Sequence, residues 1–293
     1  MPELPEVETT VRDLNKKVLH RAFIGVWADP AILKKGRMIK KPGSFKEFKE
    51  KLKGKKIKKI WRRGKNIIFE LSQGYFLLVH QKLTGHLLYG KWSMKGGIWE
   101  PAKKGLLAEK VNAYIRLLFT FNNGKMLALS DLRKFAKVEL LTKEELKKEL
   151  SSLGPEPLEK GFTLKKFKET LKGKKGKIKQ VLMDQKVIAG IGNIYSDEIL
   201  WEAKISPFRI VSELSGKELK DIYQALKKIL RKAIKAKGAS IIDFRRILGE
   251  KGGFDRLRKV YQKEGEKCDR CGAIIKKAKI GGRSAHYCPK CQK

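Results

Sequence analysis

Pro2 follows Met1 and precedes Glu3, and removal of Met1 by an aminopeptidase would leave proline with a free secondary amine. Such an amine attacks an aldehyde carbon and gives an iminium ion, an electron sink for breaking bonds nearby. An N-terminal amine titrates near roughly 8, against about 10 for lysine, so more of it is unprotonated at neutral pH. Val7, Val11, Leu14 and Val18 recur at helical spacing. A buried helix starting near Pro5 would fix that amine, and the positive end of its dipole would favour the neutral form. A proline in the first turn of an ordinary helix, with glutamates balancing the dipole, has the same appearance.

The second reactive grouping is Cys268-x-x-Cys271 with Cys288-x-x-Cys291, separated by 16 residues. Two knuckles at this spacing supply four thiolates to one tetrahedral zinc ion, with Gly272, Gly281 and Gly282 suited to the turns of a two-hairpin ribbon. Four thiolates close the coordination sphere, so the metal is structural and has no place for a catalytic water. His286 competes as a ligand only if a cysteine is lost. Arg283 lies between the knuckles, where a hairpin tip could reach a phosphate; alone it is one basic residue among dozens.

Three further groupings read two ways each. Gly190-Ile191-Gly192-Asn193 lets a backbone approach an anion, with Asn193 capping a helix that opens at Ile194; it also suits a plain connector between helices. Asp131-Leu132-Arg133-Lys134-Phe135 can wedge a duplex, Phe135 entering the stack and Arg133 bonding base edges; a core phenylalanine beside a surface cation pair has the same sequence. Lys65 in Arg62-Arg63-Gly64-Lys65 is ambiguous alone.

Composition narrows the choice. Lys and Arg number 69 against 31 Asp and Glu, a formal net charge of +38, which points to a polyanionic partner, nucleic acid ahead of an anionic membrane. No apolar run approaches the roughly 18 residues of a membrane span, and the N-terminus carries acids where a signal peptide needs a basic region. We therefore expect a cytoplasmic protein. Cysteines confined to the C-terminal 26 residues fit a metal site in a reducing compartment better than disulfides.

Residues 22–137 read as β-rich. Asn66–Leu71 and residues 75–80 are short strands joined by Ser72-Gln73-Gly74, and residues 114–121 and 125–129 flank the tight turn Asn122-Asn123-Gly124. Strands at this density suggest a sandwich or flattened barrel with the first helix packed on it. Leu153-Gly154-Pro155-Glu156-Pro157-Leu158 breaks the pattern. Beyond it Leu164–Leu171, residues 178–184, Asn193–Ala203 and residues 216–237 carry helical spacing, with Tyr195, Ile199 and Ala203 in one stripe. The lysine runs at residues 172–179 and 227–237 are weak evidence singly.

Taken in order, the motifs resemble formamidopyrimidine-DNA glycosylase over nearly the whole chain: Met1-Pro2-Glu3-Leu4-Pro5-Glu6-Val7-Glu8-Thr9, Arg62-Arg63-Gly64-Lys65, Leu153 through Leu158, Asp184-Gln185 leading to Gly192-Asn193-Ile194-Tyr195, and the closing cysteine ribbon. The resemblance implies an α+β multidomain fold: an N-terminal β-sandwich with its helix at 1–137, a linker at 138–155, a helix–two-turn–helix domain at 156–255, and a zinc ribbon at 259–293. It implies a monomeric base excision repair enzyme acting on duplex DNA with oxidised purines or abasic sites. Pro2 would be the Schiff-base nucleophile, Glu3 the proton donor to the sugar ring, and Glu6 a second, orienting acid. Lys65 would serve β-elimination, and Arg283 δ-elimination and phosphate clamping. Asn193 and Lys175 would hold the backbone, Lys179 would lie close to the lesion, Arg133 would contact the orphaned cytosine, and Phe135 with Leu83 would fill the void. Residues 239–253 would cover the everted base. The neighbouring possibilities are an endonuclease VIII-like enzyme for oxidised pyrimidines, against which Leu4-Pro5-Glu6-Val7-Glu8 speaks, and a zinc-dependent DNA-binding protein without catalysis, against which intact Pro2, Glu3 and Lys65 speak.

The chain departs from the family pattern in places. Leu83 stands where methionine is usual, after Gln81-Lys82 in place of a more apolar approach; Asn112-Ala113-Tyr114 replaces a His-x-His phosphate contact; Ala136 replaces a glycine, a cost if that position needs positive φ.

Overall fold

The structure is a computed structural model that describes residues 1–33, 38–241 and 243–293. It divides into two compact units, Met1–Ser151 with Lys237–Gly253, and Ser152–Ala236 with Phe254–Lys293.

The first unit opens with α1 (Leu4–Val18). Pro5 suits its first turn, Glu3 and Glu6 form a reciprocal capping box, and Lys16 and Lys17 complement the C-terminal end. Val7, Leu14 and Val18 are fully buried, each contributing about 1.5–3 kcal/mol of apolar burial. Strand β1 (Phe23–Ala28), the short α2 (Pro30–Leu33) and α3 (Phe45–Leu52) follow. Then come β2 (Ile57–Arg63), β3 (Asn66–Leu71), β4 (Phe76–His80), β5 (His86–Gly90), β6 (Trp92–Lys95), β7 (Ile98–Pro101), β8 (Ile115–Phe121), β9 (Met126–Ser130), β10 (Lys137–Leu141) and α4 (Lys143–Leu150). Two four-stranded antiparallel sheets form, in the orders β1-β8-β9-β5 and β10-β4-β3-β2. One apolar cluster unites Phe23, Leu117, Phe119 and Leu129 from the first sheet with Ile60, Phe69, Leu77 and Val79 from the second and Val7, Val11 and Leu14 from α1. The expected sandwich with a flanking helix is present.

Residues 138–155, expected to be a linker, are largely regular structure. Strand β10 pairs with β4 along its length, and α4 starts at a Thr142–Glu145 capping box. Val138, Leu140 and Leu141 are buried, which is what draws this segment into the sheet. Lys237–Gly253, placed by the sequence with the helical region, packs with the first unit: Ile247 is buried in the sandwich core and its carbonyl accepts the Tyr89 N–H at 2.6 Å. Ala136 is buried without adopting positive φ, so the cost anticipated for replacing glycine does not arise.

The second unit holds α5 (Leu164–Leu171), α6 (Ile178–Met183), α7 (Asn193–Ala203) and α8 (Gly216–Lys235), then the hairpin β11 (Lys276–Ile280) and β12 (Arg283–Tyr287). Tyr195, Ile199 and Ala203 are buried as their spacing predicts. Gly154 is required by close approach: a Cβ there would lie 2.5 Å from the Val187 carbonyl oxygen. Among the described residues, no helix is long and apolar enough to cross a membrane.

Candidate functional site

The candidate residues fall in both units. In the first, Pro2, Glu3 and Glu6 are buried around the start of α1, with Met1 about half exposed. The Glu6 Oε2 accepts the Glu3 backbone N–H at 2.8 Å, and its Oε1 accepts the Ala239 N–H at 2.7 Å. Gly238, at φ 78°, has no room for a side chain, since a Cβ would lie 2.8 Å from that same Oε1.

Lys65 sits in the β2–β3 turn, made possible by Gly64 at φ 57°, and is 6% exposed. Asn15 donates to the Ile60 carbonyl at 3.0 Å and Arg62 to Glu8 at 3.2 Å, so β2 runs along α1 and its last residues lie beside the helix's first turns. The turn that carries Lys65 is thereby brought to the end of α1 that carries Pro2. His80 lies across the strands from Asn66. Burial holds its imidazole down to about 3, with the charges of Lys82, Lys65 and Lys137 adding to the effect.

Leu83 and the Arg133–Phe135 pair belong to two loops that Asp131 ties together. Asp131 is fully buried; its Oδ1 accepts the Thr84 hydroxyl and the Arg133 N–H, and its Oδ2 accepts the Ala136 N–H at 2.8 Å. Arg133 is exposed with its guanidinium 4.8 Å from the centre of the Phe135 ring, and Phe135 is 45% exposed. Lys82 and Lys134 both take left-handed backbone, at φ 56° and 59°, in these loops. Asp131 is the organising residue that sequence reasoning passed over; an acid directly after a strand, two residues before the exposed arginine, was the available signal. Asn112 is not an exposed substitute for a phosphate-binding histidine: it is 2% exposed, bonded to His86 Nε2 at 2.8 Å and to the Leu106 carbonyl at 2.8 Å.

In the second unit Lys175 is exposed between α5 and α6. Asn193 is the first residue of α7, and Gly192 occupies the cap position, so the expected side-chain cap by Asn193 is not formed. Its Nδ2 donates instead to the Ser284 hydroxyl at 3.1 Å. Gln185 shapes the preceding turn, accepting the Gly190 N–H at 2.8 Å and donating to the Ile191 carbonyl at 2.7 Å. Lys179, expected close to the lesion, lies on α6. It is fully buried, with its ammonium on Asp197 and Ser196, because a buried carboxylate on α7 needs a counter-charge. Arg283 is exposed at the start of β12, after the turn formed by Gly281 and Gly282.

The four cysteine sulfurs lie within 4.8 Å of one another, with Cys268–Cys291 at 4.0 Å and Cys271–Cys288 at 3.5 Å. A tetrahedron of Zn–S bonds near 2.3 Å has edges of about 3.8 Å, so the set fits one zinc ion. His286 is turned away to Asp197, its Nδ1 3.0 Å from the carboxylate, and takes no part in the cluster.

A β-sandwich, paired helices around a glycine turn, and a four-cysteine ribbon together define a zinc-ribbon, helix–two-turn–helix protein of the DNA-binding class. Three family models match: the formamidopyrimidine-DNA glycosylase N-terminal domain over residues 1–138, its H2TH domain over residues 153–245, and the zinc finger found in FPG and IleRS over residues 265–293. The chain belongs to the formamidopyrimidine-DNA glycosylase family. It is 39% identical to the formamidopyrimidine-DNA glycosylase of Pelotomaculum thermopropionicum, covering 100% of this chain and 99% of that one, and 40% identical to that of Carboxydothermus hydrogenoformans, covering 100% of both. Among solved structures it resembles a mutant Lactococcus lactis FPG bound to Fapy-dG DNA, with TM-score 0.85, 35% identity and full coverage of both chains. It also resembles MutM bound to DNA containing carbocyclic 8-oxo-G, with TM-score 0.85, 36% identity and full coverage of both chains.

Proposed function

We propose that this protein is a cytoplasmic, nucleoid-associated base excision repair enzyme that removes oxidised purines, 8-oxoguanine and formamidopyrimidines, from duplex DNA and then cuts the strand. The observation that carries this reading is the grouping at the start of α1: Pro2 beside a buried pair of acids whose carboxylate orients the following peptide, with the Lys65 turn brought alongside.

The damaged nucleotide is everted from the stack at a cost of a few kcal/mol, less for a damaged pair. Pro2, freed of Met1, attacks C1′; the C1′–base bond breaks and the purine leaves with a proton. Glu3 protonates the ring oxygen, the C1′–O4′ bond opens, and an iminium joins Pro2 to the sugar. The iminium acidifies the C2′ proton; its loss breaks the C3′–O bond, with Lys65 moving the proton. A further elimination, in which the C4′ proton is lost and Arg283 serves at the phosphate, breaks the C5′–O bond and leaves a one-nucleotide gap. Water then hydrolyses the iminium and restores the amine. Arg133 and Phe135, held by Asp131, meet the opposite strand where the base has left, with Leu83. Zinc folds the ribbon that carries Arg283.

Incubation with a duplex carrying one 8-oxoguanine opposite cytosine, and with one carrying an abasic site under borohydride, tests this reading. Incision at the lesion and a covalent adduct are expected. A protein that binds both duplexes and does neither is a DNA-binding protein only, and an abasic adduct without incision at 8-oxoguanine overturns the oxidised-purine reading in favour of the endonuclease VIII-like branch.

A further inference from the structure

Helix α7 grips the ribbon through residues four apart. Asn193 donates to Ser284 at 3.1 Å, Asp197 accepts both the backbone N–H of His286 at 2.9 Å and its ring Nδ1 at 3.0 Å, and Trp201 Nε1 donates to the Cys268 sulfur at 3.4 Å. Four residues of helix rise about 6 Å, and two residues of strand advance about 6.6 Å. The spacing of Asn193 and Asp197 on α7 therefore matches that of Ser284 and His286 on one face of β12. A one-residue slip of the strand would present Arg283 and Ala285 to the helix in their place. The hairpin tip is bounded as well, since a Cβ on Gly281 would lie 2.2 Å from Gln180 Nε2 on α6.

Zinc alone does not set this register. Its four ligands all lie within residues 268–291, so the ion closes the ribbon on itself. Asp197 is 1% exposed and is neutralised by Lys179, itself fully buried. A buried carboxylate that meets both the backbone N–H and the ring of His286 distinguishes that strand position from its neighbours.

We propose that Asp197 is a positioning residue for the second strand cut: it sets the register of β12 on α7, and so the point from which Arg283 acts, with Lys179 as its counter-charge. The proposal rests on the reading of Arg283 given above. Arg283 directly precedes Ser284, so a shifted strand moves it off its phosphate while leaving the Pro2 site in the other unit untouched.

The test compares the full-length, zinc-loaded parent with Asp197→Asn, Arg283→Ala and the double variant Asp197→Asn/Lys179→Met on a duplex with one abasic site. The two cuts are resolved by the size of the end left on the labelled strand, and covalent trapping reports Pro2. Asp197→Asn is expected to keep one zinc per chain and to trap as the parent does, while its second cut slows about ten- to hundredfold relative to the first. The double variant removes the stranded lysine charge but keeps an amide oxygen for the His286 N–H, and is expected to recover the parent ratio. Parent zinc content and parent trapping in Asp197→Asn separate a shifted register from general destabilisation, and the double variant serves if Asp197→Asn fails to fold. A shifted ratio in Arg283→Ala with a parent ratio in Asp197→Asn overturns the proposal alone. An unshifted ratio in Arg283→Ala overturns the reading beneath it as well.

Discussion

Glu6 and Ala239, 233 positions apart in sequence, are joined by a 2.7 Å hydrogen bond from the Ala239 backbone to the Glu6 carboxylate. The other oxygen of that carboxylate holds the Glu3 amide at 2.8 Å. One side chain thus fixes the peptide next to Pro2 and the entry of Lys237–Gly253. The segment closes on itself there: Gly252 donates to the Ser240 hydroxyl at 2.8 Å, and a Cβ on Gly252 would lie 2.2 Å from the Gly238 carbonyl oxygen. Farther along, Arg246 forms two hydrogen bonds to Asp13 on α1, at 2.9 and 3.0 Å.

Blocking the N-terminus is expected to abolish chemistry and spare binding, because the proposed nucleophile, Pro2, reacts only as a free amine. A form with an uncleaved N-terminal tag should bind abasic DNA and give no adduct under borohydride. Full trapping by the tagged form would move the nucleophile to a lysine.

Arg133→Ala and Lys175→Ala are expected to fail differently. Lys175 is exposed and is proposed to touch phosphate only, so its loss should weaken every duplex alike and flatten the slope of log K against log salt by about one. Arg133 stands on Phe135 at the Asp131 loop, so its loss should erode the preference for cytosine opposite the lesion. Affinities for all four opposite bases at several salt concentrations decide; equal losses across bases in both variants would make Arg133 another phosphate contact.

Cys288→Ser is expected to release zinc and unfold the ribbon, since a three-thiolate remnant loses much of the free energy that folds it. Elemental analysis and DNA affinity report the change, and the sandwich should retain its own melting transition. Unchanged metal content would contradict the cysteine assignment.

Gln81→Leu is expected to stabilise the protein. Gln81 is 1% exposed, and neither atom of its amide has a hydrogen-bond partner among the described residues. Burying an unpaired amide costs roughly 1–3 kcal/mol, so leucine should raise stability by about 1–2 kcal/mol and Tm by about 2–8 °C. Thermal melts of the two forms settle it, and an unchanged or lower Tm would show that the amide is satisfied in solution.

Acid should destabilise the fold through the half-buried His80 and the buried His86. Burial holds His80 at about 3, against 6.5 for the free side chain, and depresses His86 as well. A folded value below the unfolded one means that protons favour the unfolded chain. The penalty is absent above about pH 6.5 and, for His80, grows as pH falls from there toward about 3, by up to about 1.4 kcal/mol per pH unit; His86 adds in the same direction. His80→Asn is expected to lose less stability than the parent between pH 7.5 and about 4.5. Parallel melting curves for the two would exclude a role for His80.

Much of the fold was legible because local signals agreed with packing. Asn66–Leu71, Leu164–Leu171 and Asn193–Ala203 form where their patterns place them, and the glycine-centred turns fall between. The hairpin β6–β7 was hidden because Met94 and Ile98 point to solvent, leaving no clean apolar alternation. Strand β10 was hidden by the charged stretch of α4 behind it, and its strand character comes from pairing with β4, far earlier in the chain. At the candidate site the chemistry-bearing residues were readable by type, and their partners were not. Lys179 reads as one lysine of a basic run until Asp197, 18 residues later, is folded against it. Asn193 reads as a cap until the ribbon supplies Ser284.

The paired acids on α7 also bear on how the chain is made. Glu198 is fully buried and accepts the backbone N–H groups of Lys259, Val260 and Tyr261 at 2.8, 3.0 and 2.9 Å, while its neighbour Asp197 waits for His286. A nascent chain that has emerged only as far as α8 carries both carboxylates without these partners. Helix α7 is then a poor fit to a dry interior, and the unit is expected to stay open to proteases until the ribbon arrives. Synthesis interrupted before residue 259 would leave a product that quality control can recognise by its unfinished helix.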